Sequence, residues 1–238
     1  MSALAWLLSV LTAAAAATSM EEARSAVVQL VTIRRDGDAR VPRGSAFYVT
    51  RDGHLLTCAH VVDHLPKDEV ARLRLADGSE RRFEILQVDR EIDLALLLSD
   101  PPDRYVTLAE ETVAATGQVV MLAGFPVSGE EHEGHAAARF KPGTIVGVER
   151  RRVSGARRGV ASRRLITSVR VDEIADAGQS GGPLLAADRF TAVGVIRANL
   201  EWATGGLERR TKPEGDAVAV PILYVRPFLE RYVRLNPS

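Results

Sequence analysis

Residues 178–182 read Gly-Gln-Ser-Gly-Gly, and the serine in this segment has the surroundings of a reactive hydroxyl. Glycines two positions before Ser180 and directly after it let the backbone present the hydroxyl and nearby turn N–H groups toward one point. Taken alone, the pattern is equally typical of a glycine-rich turn in which Ser180 hydrogen-bonds within its own loop. Ser180 is therefore a candidate nucleophile that needs support from other residues.

Two other residues have the chemistry that would activate such a hydroxyl. His60 closely follows a strand-like run, a place where a histidine is more often a hydrogen-bonded core residue than a base. Asp93 enters a fully apolar run, where a buried charge is costly unless strong donors such as an imidazole N–H surround it. The alternative for Asp93 is that it simply caps the turn before the strand.

The three residues together indicate a catalytic triad. A hydroxyl is a weak nucleophile until a base takes its proton, and the base must be held in one tautomer. His60, Asp93 and Ser180 supply these roles in the order His, Asp, Ser along the chain. Chymotrypsin-like double-barrel proteases have this order, whereas α/β-hydrolases have the order Ser, Asp, His.

The composition excludes several other classes of protein. The chain has 238 residues, 31 basic and 31 acidic side chains, 46% hydrophobic residues and one cysteine. This length allows one or two domains, and the apolar content is too high for a disordered chain. Zero net charge argues against nucleic acid as a partner, and 5% aromatic residues argues against base-stacking platforms. The lone Cys58 excludes an internal disulfide and any metal site built from several thiolates.

Residues 1–17 differ from the rest of the chain because they contain no charged side chain. Their apolar run is shorter than the roughly 20 residues needed to cross a bilayer, and it ends in alanines of the kind that export peptidases cut. The segment also lacks a basic n-region, so two interpretations stand: a signal peptide, which is favoured, or an uncleaved N-terminal anchor. Cleavage would leave an N-terminus near Thr18, and only an uncleaved anchor would hold the chain at a membrane.

Short apolar runs separated by turn residues predict an all-β fold. Asp52-Gly53 and Asp77-Gly78 each lie between two such runs, which predicts hairpins because glycine tolerates the positive φ of the turn. One helix is predicted at about residues 226–234, with Pro227 in its first turn. The predicted strands are residues 26–33, 46–50, 54–57, 71–76, 82–88, 94–98, 119–123, 143–148, 165–171, 192–196 and 217–220.

These segments resemble the trypsin-like serine proteases, and within them the HtrA (Deg) branch. The resemblance is carried by residues 44–47 (GSAF), 56–63 (LTCAHVVD), 92–97 (IDLALL), 123–126 (AGFP), 143–146 (GTIV), 178–185 (GQSGGPLL), 193–196 (VGVI) and 217–222 (AVAVPI). The sequence departs from the usual pattern of the branch at Cys58 and Gln179, where asparagine is usual, and at Asp176-Ala177, which replaces an Asn-Pro pair. None of these departures removes a member of the triad.

The resemblance implies two six-stranded antiparallel β-barrels of the chymotrypsin type with a short C-terminal helix. Residues 18–238 would form one protease domain, with the first barrel at about residues 24–108 and the second at about 109–225. Because the chain ends at Ser238, soon after this domain, no PDZ domain is expected. Recruitment of substrates through PDZ domains is therefore not carried over.

The implied activity is that of a serine endopeptidase that works through an acyl-enzyme intermediate. By this resemblance Ser180 is the nucleophile, His60 is the general base and Asp93 orients His60. The backbone N–H groups of Gly178 and Ser180 would form the oxyanion hole. No metal or organic cofactor is implied.

The resemblance also suggests which residues bind the substrate. Ile174, six residues before the nucleophile, would form part of the pocket floor, and Asp216 and Ala217 would lie on the far wall. An apolar Ile174 offers no carboxylate to Lys or Arg, so small or medium aliphatic side chains are expected at the cleavage site. A carboxylate at Asp216 would complicate this preference.

The expected partners are polypeptides, including unfolded proteins, and the oligomeric state is left open. The expected setting is the bacterial periplasm or the outside of the cell, in protein quality control or secreted proteolysis. Two other classes of function remain. One is a binding or chaperone-like protein that keeps the protease fold with a resting or inactive site. The other is an esterase, which would normally have an α/β fold and a different triad order.

Overall fold

The computed structural model describes residues 15–34, 39–110, 114–127, 137–154, 161–199 and 217–233. These residues are mostly strand, which confirms the predicted all-β class. The helices are α1 (Met20–Ala26), α2 (Ala59–Asp63) and α3 (Ile222–Glu230). The strands are β1 (Ala15–Ala16), β2 (Val27–Ile33), β3 (Arg40–Tyr48), β4 (His54–Thr57), β5 (Val70–Arg74), β6 (Glu80–Arg81), β7 (Phe83–Asp89), β8 (Leu94–Ser99), β9 (Arg104–Tyr105), β10 (Val119–Gly124), β11 (Arg139–Ser154), β12 (Ala161–Val171), β13 (Pro183–Ala186), β14 (Ala192–Asn199) and β15 (Ala217–Pro221).

The first half of the chain folds into a seven-stranded sheet in the order β6-β5-β2-β3-β4-β8-β7. Its two edge strands, β6 and β7, are separated in sequence by Arg82 alone, so the sheet curls until its edges meet. The first barrel that we predicted as six-stranded therefore has one strand divided at Arg82, where the chain stops pairing with β5 and starts pairing with β8. A strand that changes partners bends at the change, and the bend interrupts its ladder of hydrogen bonds.

The second half forms a closed six-stranded barrel in the order β10-β11-β12-β15-β14-β13, as the resemblance implies. Every neighbouring pair in it is antiparallel. The segment that carries Ser180 leads directly into β13, which pairs with β14. Ser180 therefore lies shortly before β13, a strand that pairs with a neighbour on each side within the barrel.

The C-terminal helix begins about one turn earlier than predicted. It spans Ile222–Glu230 instead of residues 226–234, so Pro227 lies inside the helix and not in its first turn. Ile222 and Val225 are buried and extend the apolar face of the helix toward its N-terminus. Their burial outweighs the loss of the one backbone hydrogen bond that a proline cannot donate.

The last residues of segment 1–17, which is predicted to be a signal peptide or an anchor, pair with β9. β1 runs parallel to β9, with hydrogen bonds from Ala15 N to the Asp103 carbonyl (3.1 Å) and from Ala17 N to the Tyr105 carbonyl (2.8 Å). Cleavage before Thr18 would remove this strand, and cleavage stays a prediction. Residues 1–14 lie outside the described part of the chain. None of the helices that the described residues form has both the length and the apolar character needed to cross a membrane.

Gly53, in the turn between β3 and β4, provides a test of this hairpin. Its φ is 95°, and a Cβ at this position would lie 2.0 Å from the Ser99 carbonyl oxygen. We expect Gly53→Ala to lower the free energy of unfolding by roughly 3 kcal/mol or more, because it combines positive-φ strain with a backbone clash. Urea unfolding measures this loss.

Gly117 is the matched control for Gly53. Its φ is 88°, and no described atom lies within 4 Å of a Cβ built there. Gly117→Ala should therefore cost only the strain of the backbone conformation, about 1–2 kcal/mol. Equal losses for the two variants would show that the contact with Ser99 does not constrain the hairpin.

Candidate active site

The turn between β7 and β8 leaves the carboxylate of Asp93 available for long-range contacts. Asp89 caps this turn, because its Oδ1 accepts hydrogen bonds from the N–H groups of Glu91 (2.9 Å) and Ile92 (3.2 Å). Asp93 itself is in the left-handed region, with φ 60°, and is 5% exposed. The alternative in which Asp93 caps the turn is therefore wrong, since Asp89 does so.

Asp93 instead bonds to His60, on α2. Its Oδ1 accepts a hydrogen bond from the His60 backbone N–H (3.0 Å), and its Oδ2 lies 2.9 Å from His60 Nδ1. The side chain of Cys58, at the N-cap of α2, donates to the Ile196 carbonyl (3.2 Å) and not to the helix. Asp93, which directly precedes β8, thus caps the N-terminus of α2 and fixes the imidazole ring of His60 at the same time.

The surroundings of Asp93 keep it ionised. Burial by itself raises the pKa of Asp93, but the hydrogen bonds from His60 and the charge of Arg197 more than offset burial and hold the pKa below its ordinary value of 3.8. Because the pKa of Asp93 is lower in the folded state than in the unfolded state, ionised Asp93 stabilises the fold fully above about pH 3.8. This stabilisation is lost as the pH falls through the lower pKa of the folded state.

Ser180 joins the same network through Arg197. Its Oγ donates a hydrogen bond to the Arg197 carbonyl (2.7 Å), and the Arg197 Nε donates to Asp93 Oδ2 (2.8 Å). Within the described part of the chain, Ser180 makes no hydrogen bond to His60. The structure therefore brings the three predicted residues into one network, with His60 and Asp93 in direct contact and Ser180 turned toward β14.

The turn from Gly178 to Ser180 has two backbone N–H groups that face no acceptor among the described residues. Gly178 has φ 97°, and a Cβ there would lie 2.5 Å from the Phe125 carbonyl oxygen, so the position requires glycine. The next N–H, that of Gln179, donates to the Asp176 carbonyl (3.0 Å). Among the described residues, the N–H groups of Gly178 and Ser180 have no hydrogen-bond acceptor. They are the two groups that sequence reasoning selects for an oxyanion hole.

Ser45 attaches this loop to the first sheet. It is fully buried in β3, and its Oγ donates to the Gly178 carbonyl (2.7 Å) while accepting a hydrogen bond from Phe125 N (2.8 Å). Its backbone N–H donates to the Ser180 carbonyl (2.9 Å). Sequence reasoning used Ser45 only as part of a motif and missed its role as the link between the two halves of the molecule.

Lys141, on β11, contacts residues 173–176, the segment that precedes the turn from Gly178 to Ser180. Its Nζ donates to the Ile174 carbonyl (2.7 Å) and lies 3.0 Å from Glu173 Oε1 and 3.4 Å from Asp176 Oδ1. Ala217, at the start of β15, donates its N–H to the Glu173 carbonyl (2.8 Å). The predicted substrate-binding residues Ile174 and Ala217 thus lie on adjoining segments, whereas Asp216 is outside the described residues.

The side chains of Cys58, His60 and Asp93 approach one another within 4.8 Å and could be considered as a metal site. Burial raises the pKa of the Cys58 thiol well above its ordinary value, which disfavours the thiolate that a metal would need. A metal would also have to displace the two contacts between the His60 ring and Asp93. The chemistry of the three groups therefore fits a hydrogen-bonded pair with a buried thiol beside it better than a metal centre.

The sequence matches a known protein family. The family described as "Trypsin-like peptidase domain" matches residues 44–195, which is more than half of the chain. The chain belongs to the trypsin-like peptidase family.

Relatives of this trypsin-like domain fall in the HtrA branch. Serine protease HTRA4 of Mus musculus is 26% identical over 222 residues, which cover 91% of this chain and 40% of that protein. Serine protease HTRA2, mitochondrial, of Drosophila virilis is 29% identical over 189 residues, which cover 79% of this chain and 39% of that protein. The chain is thus similar to HtrA proteases, and it spans about two fifths of the length of these relatives.

Solved HtrA-type structures have the same fold as this domain. A variant of the HtrA-type protease AlgW with a tripeptide superposes with a TM-score of 0.65 at 22% identity, covering 92% of this chain and 63% of that chain. AlgW with a decapeptide gives a TM-score of 0.66 at 20% identity, covering 90% of this chain and 67% of that chain. These matches confirm the chymotrypsin-like architecture of the trypsin-like domain.

Arg197 is the residue of the trypsin-like site that sequence reasoning missed. It lies in β14 directly after the segment 193–196 that carries the resemblance, and its side chain is 12% exposed. A signal for it was present, since Arg197 is the single charged residue of a strand that is apolar up to that position, and Asp93 directly precedes another apolar strand. Two opposite charges that enter apolar strands are each costly to bury alone, and they would have been a candidate pair.

Ser45 provides a test of how the nucleophile loop is held in this trypsin-like domain. We expect Ser45→Ala to destabilise the fold by about 1–3 kcal/mol, because it leaves the buried Phe125 N–H and Gly178 carbonyl without their partner. The loosened Gly178 should also slow phosphonylation of Ser180 by a fluorophosphonate probe. Urea unfolding and the rate of probe labelling measure the two effects.

Ser25 is the matched control for Ser45. Its hydroxyl also donates to a backbone carbonyl, that of Glu22 (2.8 Å), but on the exposed surface of α1. Ser25→Ala should change stability by less than about 0.5 kcal/mol and leave labelling unchanged. If Ser45→Ala labels as fast as the Ser25→Ala control, Ser45 does not position the loop.

Proposed function

We propose that this domain is a serine endopeptidase in which Ser180, His60 and Asp93 act as nucleophile, general base and orienting carboxylate. The observation that carries the proposal is the contact between His60 and the buried carboxylate of Asp93, with Asp93 Oδ2 2.9 Å from His60 Nδ1. Such a pair leaves Nε2 of the imidazole as the nitrogen that can take a proton. The connection of Ser180 to the same pair through Arg197 gives further support.

The reaction would begin when Ser180 Oγ attacks the carbonyl carbon of a peptide bond and His60 Nε2 takes its proton. The tetrahedral oxyanion would accept hydrogen bonds from the N–H groups of Gly178 and Ser180. His60 would then protonate the leaving amine, the C–N bond would break, and an acyl-enzyme on Ser180 would remain. Water activated by His60 would hydrolyse this ester and regenerate the hydroxyl. The proposed chemistry uses no metal or organic cofactor.

The hydroxyl must turn before it can react. Ser180 Oγ bonds to the Arg197 carbonyl (2.7 Å), so a rotation about its Cα–Cβ bond has to bring it to His60 Nε2. This contact favours a second candidate function, a protease-fold binding or chaperone-like protein with a resting site. The His60–Asp93 pair and the free N–H groups favour the enzyme, because binding alone requires neither. The all-β fold argues against the α/β esterase alternative.

The proposed substrates are polypeptides. The HtrA-type structures similar to this chain are described as containing a tripeptide and a decapeptide. Ile174 and Ala217 would line the pocket for the side chain before the cleaved bond, so we propose small or medium aliphatic residues there. Nucleic acid and lipid are not among the proposed substrates.

The proposed setting is export, with a role in protein quality control or secreted proteolysis. The support is the uncharged, alanine-ending segment of residues 1–17. HTRA2 of Drosophila virilis, by contrast, is named as mitochondrial.

Labelling with a fluorophosphonate probe tests the proposed nucleophile. We expect the wild-type protein to be labelled and both Ser180→Ala and His60→Ala to lose labelling, because the first lacks the hydroxyl and the second lacks the base. Wild-type protein that has not been exposed to the probe should also hydrolyse peptides with Val or Ala before the cleaved bond at least tenfold faster than the same peptides with Arg. Circular dichroism of each variant controls for folding.

Other results would point to different conclusions. A folded wild-type protein that is neither labelled nor active on any peptide would contradict the enzyme and favour the binding protein. Hydrolysis of small esters without hydrolysis of peptides would contradict the endopeptidase. A preference for Arg would leave the endopeptidase in place and overturn the role of Ile174.

A further inference from the structure

The guanidinium of Arg197 forms the second contact of the Asp93 carboxylate. Arg197 Nε donates to Asp93 Oδ2 at 2.8 Å, and the two side chains are 12% and 7% exposed. The other contacts of Asp93 come from His60, through its backbone N–H and its ring Nδ1. Asp93 is therefore held from two sides, by α2 on one side and by β14 on the other.

The two contacts do different things to the carboxylate. Asp93 fixes the orientation of the His60 ring only as long as its carboxylate cannot rotate. The bond from Arg197 Nε removes this rotation, because it fixes the oxygen that also faces His60 Nδ1. At the same time the positive charge lies next to the group that has to stabilise a protonated imidazole, and like charges in a buried site repel. Arg197 thus holds the Asp93 carboxylate in one orientation and places a positive charge beside the His60–Asp93 pair.

We propose that Arg197 is a positioning residue, which acts through Asp93 to fix the orientation of His60 and which places a positive charge beside the His60–Asp93 pair. The inference rests on the proposed function, since it concerns the same base and nucleophile. It adds a fourth side chain to the network. It also assigns a function to a buried arginine that neither the composition nor the motifs of the chain explain.

The charged and titratable groups around Asp93 support this assignment. His60 faces Asp93 from α2, Cys58 lies just before that helix, and Arg197 faces Asp93 from β14. The Cys58 thiol stays neutral, because burial raises its pKa well above its ordinary value. Asp63, at the end of α2, pairs with Arg90 (2.7 Å) and does not compete for Arg197. Arg197 is therefore the strong positive charge that the described residues bring to Asp93.

Three substitutions separate the hydrogen bond from the charge. In Arg197→Gln the amide nitrogen is attached to Cδ, as Nε is in arginine, so the variant keeps the donor and removes the charge. Arg197→Met has a methyl group at the same distance along the side chain and removes both. Arg197→Lys keeps the charge but places its nitrogen one atom farther out. Circular dichroism and thermal unfolding establish that each variant is folded.

We expect Arg197→Met to lower kcat by about tenfold to a hundredfold with KM changed by less than about twofold, because a misaligned base slows the chemical step. Arg197→Gln should retain most of kcat but shift the acidic limb of kcat/KM to higher pH, because a positive charge near the imidazole has been removed. Arg197→Lys should keep the acidic limb near that of the wild type while losing part of kcat.

Three outcomes of these measurements overturn the proposal. If Arg197→Met keeps the kcat of the wild type, or if its loss lies mainly in KM, Arg197 does not position the base. If Arg197→Gln and Arg197→Met both lose thermal stability while their pH profiles coincide with that of the wild type, Arg197 is only a structural ion pair.

A spectroscopic measurement keeps this test independent of activity. In the Ser180→Ala protein, the proton on His60 Nδ1 should give a far-downfield NMR signal because it is bonded to Asp93. Adding Arg197→Met should move this signal upfield and accelerate its exchange with water, whereas adding Arg197→Gln should preserve it. An unchanged signal in the Arg197→Met protein would overturn the proposal. Failure of wild-type probe labelling would overturn the proposed function alone.

Discussion

The carboxylate of Asp93 has to be buried without losing its charge, and much of the site follows from this requirement. A buried charge is tolerated when hydrogen bonds and an opposite charge replace water. Here they come from His60 on α2 and Arg197 on β14, while Asp89 caps the turn that would otherwise engage Asp93. The donors belong to different halves of the chain, so Asp93 can be satisfied only when both halves are folded and docked.

The same constraint extends to Ser180, the proposed nucleophile. Arg197 bonds Asp93 with its side chain and Ser180 with its carbonyl, and Ser45 holds the Gly178 and Ser180 backbone from the first sheet. A shift of β14 or β3 would therefore move the base and the nucleophile together. The resting direction of the Ser180 hydroxyl follows from this arrangement, since the Arg197 carbonyl is an acceptor that lies within its reach.

The sequence was sufficient to predict most of the longer strands and to select His60, Asp93 and Ser180 as candidates, but not to find the residues that support them. Hairpins at Asp52-Gly53 and Asp77-Gly78 depend on local backbone conformation, which the residue types report directly. The division of a strand at Arg82 and the early start of α3 depend on tertiary packing, which no local pattern contains. Arg197 and Ser45 are separated from their partners by about a hundred residues, so a single sequence offers their types but not their contacts.

We propose above all that Ser180 is a nucleophile and that the backbone N–H groups of Gly178 and Ser180 bind the oxyanion of the tetrahedral intermediate. A crystal structure with a peptide boronic acid that has an aliphatic side chain next to boron tests it most directly. The account predicts a bond from Ser180 Oγ to a tetrahedral boron. One boron-bound oxygen should lie about 2.7–3.1 Å from both backbone nitrogens. A bound boronate with neither contact, or Ser180 still bonded to the Arg197 carbonyl at a saturating boronate concentration, would contradict it.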